Sequence, residues 1–133
     1  MRKVMIIRGS IIHSYGFNDI DHGKFFVVVG VSHGEVAGFF FINSNINRFL
    51  HDKPEMMNMQ FCMRKEDYKF LRYDSFLAGH EILKIRLEVL ESDIAQGNAK
   101  KVGQMKDEHL QDILIRARQS RLFRPRDKKN FLY

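Results

Sequence analysis

The chain has 133 residues, 44% of them hydrophobic, and a formal net charge of +6. This length and composition are typical of one globular domain and exclude a disordered chain. The apolar run Val4–Ile7 ends at Arg8, so we interpret the N-terminus as a leader into the first strand. No run approaches the roughly 18–20 apolar residues of a membrane-spanning helix, so we predict no membrane partner.

The single cysteine, Cys62, excludes an internal disulfide and offers no metal cluster. We expect it to be a small buried thiol on a strand. A chain with one cysteine fits a reducing compartment, so we predict a cytoplasmic protein with neither metal nor cofactor.

The positive charge is concentrated near the C-terminus. Residues 116–129 carry seven basic residues and one acid, so the rest of the chain is neutral. This segment predicts a basic tail that binds RNA, DNA or an acidic partner, with Arg121, Arg124 and Arg126 as candidate contacts. The alternative is a solvated helix end, where cations favour the helix dipole.

The first part of the chain predicts strands. The run 24–31 is continuously apolar, and its partner 35–43 follows a polar turn at 32–34, which together indicate a buried hairpin. Gly38 inside the second strand predicts a bulge or sharp bend. We predict a loop over 46–57, stopped by Pro54. Further strands are predicted over residues 9–15, 59–65 and 68–77. In 59–65, alternation sets Gln60, Cys62 and Arg64 on one face and Met59, Phe61 and Met63 on the other.

The second part of the chain predicts helices. Residues 80–90 are ambiguous, although 81–85 alternate well enough to close a small barrel. A short helix is predicted over 90–97, ending at Gly97, and a polar link over 98–105. The clearest helix spans 107–120, with Asp107 as its N-cap. Its apolar stripe must be buried and consists of Leu110, Ile113, Leu114 and Ala117.

These elements predict a mainly β fold with C-terminal helices, built on a small, strongly bent antiparallel barrel. We predict one domain, 1–133, with a barrel over 9–87, a helical appendage over 88–121 and a basic tail over 122–133.

The order of four short motifs resembles the PemK/MazF-like growth-inhibitor toxins. The motifs are "GSI" (9–11), "HGKFFVVVG" (22–30), "FFFINS" (39–44) and "YDSFLAGHEILKI" (73–85). The resemblance covers about residues 9–121. It implies an SH3-like barrel, a homodimer, metal-independent cleavage of single-stranded RNA and inhibition by an antitoxin peptide.

The resemblance also implies site residues. The family's phosphate-binding arginine falls on Lys24, and its threonine on Asn43, with Ser44 next to it. The chain departs from the family pattern, since Lys is a point charge rather than a planar fork, Asn has no hydroxyl, and Phe25 stands where a proline is usual. The alternative is that Lys24 is a solvated strand-start lysine and that Asn43 and Ser44 only shape a turn.

Further candidates come from the chemistry of RNA cleavage, which needs a base, an acid and groups that stabilise charge on the phosphate. His22 is a candidate base or acid, because histidine titrates near neutral pH; alternatively it is an exposed loop residue. Asp74 with Ser75 is a candidate to orient a base or sugar, or else stabilises a strand end.

The aromatic side chains offer a different chemistry, because rings can stack on bases. Core packing is the favoured interpretation of their alternation in apolar strands. The residues concerned are Phe39, Phe40, Phe41, Phe70 and Tyr73.

The sequence therefore leaves three alternative functions open. The first is an endoribonuclease on single-stranded RNA. The second is a non-catalytic module that binds nucleic acid or protein through the same fold and the basic tail. The third is an inactive protein of this fold retained as an interaction scaffold.

Overall fold

The computed structural model describes residues 5–15, 24–42 and 50–133, with residues 40–42 described by their backbone alone. The strands are β1 (Ser10–Ser14), β2 (Lys24–Ser32), β3 (Glu35–Ile42), β4 (Gln60–Met63), β5 (Ser75–Arg86) and β6 (Ala99–Gln104). The helices are α1 (Pro54–Met57), α2 (Leu87–Ala95), α3 (Asp107–Gln119) and α4 (Pro125–Asp127), followed by a π-helical turn, Lys128–Leu132.

All six strands form one antiparallel sheet in the order β4-β5-β3-β2-β1-β6. The predicted mainly β fold with C-terminal helices is therefore confirmed. Among the described residues, the two outermost strands, β4 and β6, pair with β5 and β1 but not with each other, so the sheet is not closed. No helix in the described ranges is long and apolar enough to cross a membrane.

The central hairpin forms as predicted. Val27 pairs with Phe39 and Ser32 with Glu35, so a two-residue turn at His33 and Gly34 joins β2 to β3. Both turn residues have positive φ, 51° and 74°, as tight hairpin turns require. The register of β3 with both neighbours shifts around Gly38, which confirms the predicted irregularity.

The predicted strand over 68–77 is wrong for residues 68–74, whereas residues 75–77 begin β5. Residues 64–71 form turns instead, closed by backbone hydrogen bonds such as Asp67 N–H to the Arg64 carbonyl and Leu71 N–H to the Tyr68 carbonyl. The ambiguous segment 80–90 divides instead: β5 continues to Arg86 and α2 begins at Leu87. The short predicted helix thus starts three residues earlier than expected. It ends at Ala95 with Gln96 as its C-cap, two residues before the predicted end, and Gly97 has the predicted left-handed conformation at C′, with φ +82°.

The predicted polar link is also wrong, because Ala99–Gln104 forms β6 along the outer edge of β1. Backbone bonds outside the strands extend this pairing: Tyr15 N–H donates to the Asn98 carbonyl, and Met105 N–H to the Gly9 carbonyl. These contacts satisfy backbone groups of β1 that an edge strand would leave unpaired.

Two predicted boundary roles differ in the structure. Pro54 begins α1 rather than stopping a loop, as its fixed φ and missing N–H allow at a first helical position. Asp107 is the first residue of α3, not its N-cap, which is Lys106. There its carboxylate still favours the positive end of the helix dipole.

The sheet is covered on both faces. On one face lies the larger core, where the predicted stripe of α3 is fully confirmed as buried; its members are Leu110, Ile113, Leu114 and Ala117, packed with Ile11, Val27, Val29, Phe39 and Leu77. On the other face, α2 buries Leu90 against a smaller core of Ile12, Phe26, Val28, Val36 and Ala99. The continuous apolar run of β2 is therefore explained, since its side chains enter both cores.

The edge strand β4 departs from simple alternation. Gln60 and Met63 are buried, whereas Cys62 is exposed, so the predicted buried thiol is wrong. Gln60 is tolerated inside because its amide nitrogen contacts the Met56 carbonyl at 3.0 Å and His80 Nδ1 at 2.9 Å.

The C-terminal segment, residues 123–133, packs against the sheet. Its apolar residues Phe123, Phe131 and Leu132 enter the larger core. Arg8 holds this segment by donating from Nη2 to the carbonyls of Phe131 and Tyr133, both at 2.9 Å. Burial, and secondarily the nearby charge of Arg118, lower the pKa of Arg8.

Candidate functional site

At one end of the sheet lie the last residues of β1, β3 and β4 and the first residues of β2, β5 and β6. Ser14, the last residue of β1, pairs with both Lys24 of β2 and Ala99 of β6. Met63, which ends β4, pairs with Ser75, which begins β5. We call this region the Lys24 end.

Lys24 is exposed at this end, as the first residue of β2. The antiparallel register, continued two residues from the Phe26–Phe40 pair, sets Lys24 opposite Ile42. The end of β3 therefore lies beside Lys24. The candidates His22, Asn43 and Ser44 lie outside the described residues.

Asp74 and Ser75 also lie at the Lys24 end, where both make local contacts. The exposed carboxylate of Asp74 accepts a hydrogen bond of 2.9 Å from the Lys65 N–H. The buried hydroxyl of Ser75 donates to the Tyr73 carbonyl at 3.1 Å. These bonds fix the turn that leads into β5; the strand-end alternative, which takes the two residues as a buried pair, holds for Ser75 but not for the exposed Asp74.

The three candidate arginines lie elsewhere. Arg124 and Arg126 flank Pro125 and line a cleft of about 260 Å³ beside the β2–β3 turn, which is the opposite end of β2 from Lys24. Arg121 has a side chain 90% exposed, with Nε 4.0 Å from a Glu55 carboxylate oxygen. The structure therefore separates the predicted tail contacts Arg124 and Arg126 from the predicted phosphate contact Lys24.

The cleft at the β2–β3 turn has mixed charge. Lys84 in its wall forms a 2.7 Å ion pair with Asp127, so these two opposite charges offset each other. Glu35 adds a further carboxylate to the lining. Because of these carboxylates, the cleft attracts an anion less strongly than its arginines alone would.

A row of rings crosses the sheet next to the Lys24 end. His13 stacks on Phe25 with centroids 4.3 Å apart and planes at 11°, and the ring of Tyr15 lies 4.6 Å from that of His13, tilted by 54°. Phe70, from the turns before β5, continues the row 5.2 Å from Phe25. We call Tyr15, His13, Phe25 and Phe70 the aromatic row.

The strand pattern explains how this row forms. Ile11, His13 and Tyr15 occupy alternate positions and so share one face of the sheet. The β1–β2 register then sets His13 directly opposite Phe25. On the other side of β1, the partner of His13 is the exposed Lys100 of β6, which adds a positive charge beside the rings.

Next to Phe70, the ring of Tyr68 takes part in a partly buried hydrogen-bond network. The Tyr68 hydroxyl accepts a hydrogen bond from the Lys106 N–H at 3.0 Å and forms another with His109 Nδ1 at 2.8 Å. Burial raises the pKa of Tyr68, although the Lys106 N–H opposes this. At the surface, Lys106 Nζ lies 3.0 Å from Asp67, and this hydrogen bond lowers the pKa of the Asp67 carboxyl.

The aromatic row is a site that the sequence patterns do not predict. Of the aromatic candidates named from sequence, Phe39 is buried in the larger core, whereas Phe70 is half-buried in the row and Tyr73 is exposed. The side chains of Phe40 and Phe41 lie outside what the structure describes. The signal for His13 and Tyr15 is their alternation in "IIHSY", but their meeting with Phe25 depends on a register that the sequence does not state.

A metal centre finds no support in the described ranges. There, no three His, Cys, Asp or Glu side chains are grouped in a way that would hold a metal ion.

Comparison of the chain with protein-family models and with curated protein sequences gives no match in either case.

Proposed function

We propose that the chain is a PemK/MazF-like endoribonuclease that binds single-stranded RNA at the Lys24 end and cleaves it without a metal. The proposal includes the finer features that the sequence resemblance implies: an SH3-like arrangement of the bent sheet, a homodimer and an antitoxin peptide as inhibitor.

The observation that carries the proposal is the arrangement of the central hairpin. Lys24 begins β2, and the register, continued from the Phe26–Phe40 pair, sets Ile42, the residue that precedes Asn43 in the sequence, beside it. A phosphate site built from both segments needs this proximity. The exposure of Lys24 supports the same interpretation, because a buried ammonium could not meet a phosphate.

The chemistry assigned to the site is attack of a ribose 2′-hydroxyl on the adjacent phosphate. The 2′-oxygen forms a bond to phosphorus, the bond to the 5′-oxygen breaks, one proton leaves the 2′-hydroxyl and one reaches the 5′-oxygen. In this proposal Lys24 and the amide of Asn43 stabilise charge on the phosphate, while His22 transfers a proton. Ser44 adds a hydrogen-bond donor.

A second candidate is a non-catalytic module that binds nucleic acid with the same surface. It is favoured by Lys24 and Phe25, which replace the arginine and proline of the family pattern. It is also favoured by Asp74 and Ser75, because their hydrogen bonds are directed to neighbouring backbone rather than outward.

The test is cleavage of a mixed-sequence single-stranded RNA in the presence of a chelator. Lys24→Ala should lower the rate by about a hundredfold or more, the usual scale for losing one charge-stabilising group. Lys24→Arg should retain or raise activity, because a guanidinium grips a phosphate through two hydrogen bonds. Neither change should alter folding, since Lys24 is exposed.

A matched control is Lys129→Ala, which removes one exposed lysine from the C-terminal segment and leaves the Lys24 end intact. Its cleavage rate should stay close to wild type. If neither the wild type nor Lys24→Arg cleaves RNA, the endoribonuclease proposal fails. RNA binding without cleavage would then support the second candidate.

A further inference from the structure

The aromatic row ends in an exposed ring. Tyr15 is 53% exposed, and its ring is tilted 54° to that of His13, which is itself stacked on Phe25. The contact with His13 restricts the orientation of the Tyr15 ring, which suits a surface that receives another flat ring.

The surroundings of the row are cationic. Lys100 stands opposite His13 across the β1–β6 pair and shares its face of the sheet, while Lys24 precedes Phe25 in β2 and lies at the same end of the sheet on the other face. Both lysines are exposed. Aromatic rings beside a track of positive charge are the arrangement with which proteins bind single-stranded nucleic acid, because bases stack on the rings while cations meet the backbone.

The strand geometry also relates the row to the proposed cleavage site. Tyr15 directly follows β1, whose last residue pairs with Lys24. Because side chains alternate between the faces, Tyr15 and His13 share the face of Lys100, whereas Lys24 lies at the same end of the sheet on the other face. Paired bases are stacked on each other inside a duplex and do not offer a face to Tyr15.

We infer that Tyr15 and His13 form a base-stacking platform, on which an unpaired base of the RNA extends the aromatic row beside Lys100, at the same end of the sheet as Lys24. This inference rests on the proposed function and assigns the residues that receive a base of the single-stranded substrate. Because every base has a π-face, stacking of this kind selects single strands and is tolerant of sequence.

The experiment measures RNA affinity by fluorescence anisotropy, with a labelled single-stranded oligonucleotide and the same strand in a duplex. Tyr15→Ala should weaken binding of the single strand about 5- to 100-fold, the range expected for losing one stacked base. Tyr15→Leu keeps apolar bulk without the ring and should weaken it similarly, whereas Tyr15→Phe should bind like wild type. Tyr133→Ala, which removes another exposed tyrosine ring far from the Lys24 end, is the matched control and should bind like wild type.

A second readout reports the contact directly. The chain contains no tryptophan, so Tyr15→Trp introduces a single reporter whose fluorescence a stacked base should quench. This measurement stands even where Tyr15→Ala alters the fold.

The outcomes separate the two proposals. Equal affinity of wild type and Tyr15→Leu for single strands, with no quenching of the Tyr15→Trp reporter, would overturn the platform and leave the RNA-binding proposal intact. Absence of RNA binding by the wild type would overturn both. Stronger binding of the duplex than of the single strand would also overturn the platform.

Discussion

Gly30 makes the closest approach between the sheet and the C-terminal segment. A Cβ at this position would lie 2.7 Å from both the Cα and the carbonyl carbon of Phe131, and closer still to the carbonyl oxygen. These are backbone atoms, so no change of rotamer relieves the clash. Gly30→Ala should therefore push the C-terminal segment away from β2.

The size of the effect follows from what the segment buries. Phe131 and Leu132 are 3% and 0% exposed. At about 1.5–3 kcal/mol for each large side chain, full undocking would remove about 3–6 kcal/mol of stability. The hydrogen bonds from Arg8 to the segment add about 1 kcal/mol each. We expect Gly30→Ala to lower the free energy of unfolding by about 3 kcal/mol, a large share of the stability of a typical domain.

Urea unfolding followed by circular dichroism measures this difference. Gly34→Ala is the control: its φ is +74° but nothing lies within 4 Å of the added carbon, so only about 1–2 kcal/mol of backbone strain is expected. Combining Gly30→Ala with Phe131→Ala should lose less than the sum of the two single changes, because both act on the same packing of the segment. A Gly30→Ala protein within about 0.5 kcal/mol of wild type would refute the reasoning.

Three further predictions concern the surface and the core. Changing Arg121, Arg124 and Arg126 together to Ala should flatten the slope of log affinity for single-stranded RNA against log salt by about 0.7 for each phosphate that the protein no longer neutralises; an unchanged slope in an anisotropy titration would assign these arginines to another partner. Cys62 is exposed and should react with a thiol reagent in the native protein; a reaction that begins only in denaturant would contradict this. The raised pKa of Tyr68 means that its contribution to stability is complete below the ordinary value of 10.0 and is lost as the pH rises through its higher value in the folded state. Urea unfolding at about pH 9 and about pH 11 should show this decline in wild type and a smaller one in Tyr68→Phe, and equal declines would disprove it.

The strongest periodic patterns in the sequence predict the structure well. The stripe of α3 and the apolar runs of β2 and β3 are both local signals, since each depends on the spacing of neighbouring residues and on the large area that they bury. The glycine signals at 38 and 97 also hold, because each reflects a requirement of the backbone at that position.

The predictions that fail share a different cause. In those segments, contacts with residues far away in the sequence decide the local structure. Ala99–Gln104 contains two lysines and a glycine and has weak strand propensity, yet it becomes a strand because the edge of β1 provides partners. Residues 68–77 have the composition of a strand, but Tyr68 is held instead by the Lys106 N–H and His109.

In the candidate site, too, features that depend on local pattern are predicted and features that depend on long-range contacts are not. Local pattern alone predicts Lys24 at the start of a strand, and it lies there. The aromatic row requires the β1–β2 register and a ring from a distant turn, neither of which a local pattern contains. The approach of Phe70 to Phe25, for example, joins two segments that propensity treats independently.

The pairing of the earliest strand with the latest one has a consequence during synthesis on the ribosome. β1 obtains its outer partner only when β6 has emerged, and Arg8 reaches the Phe131 carbonyl across 123 positions of the chain. Until then, a nascent chain presents the outer edge of β1 to its surroundings. Contacts of such long range form slowly, so this edge persists for a time as a site where a chaperone or another nascent chain can pair.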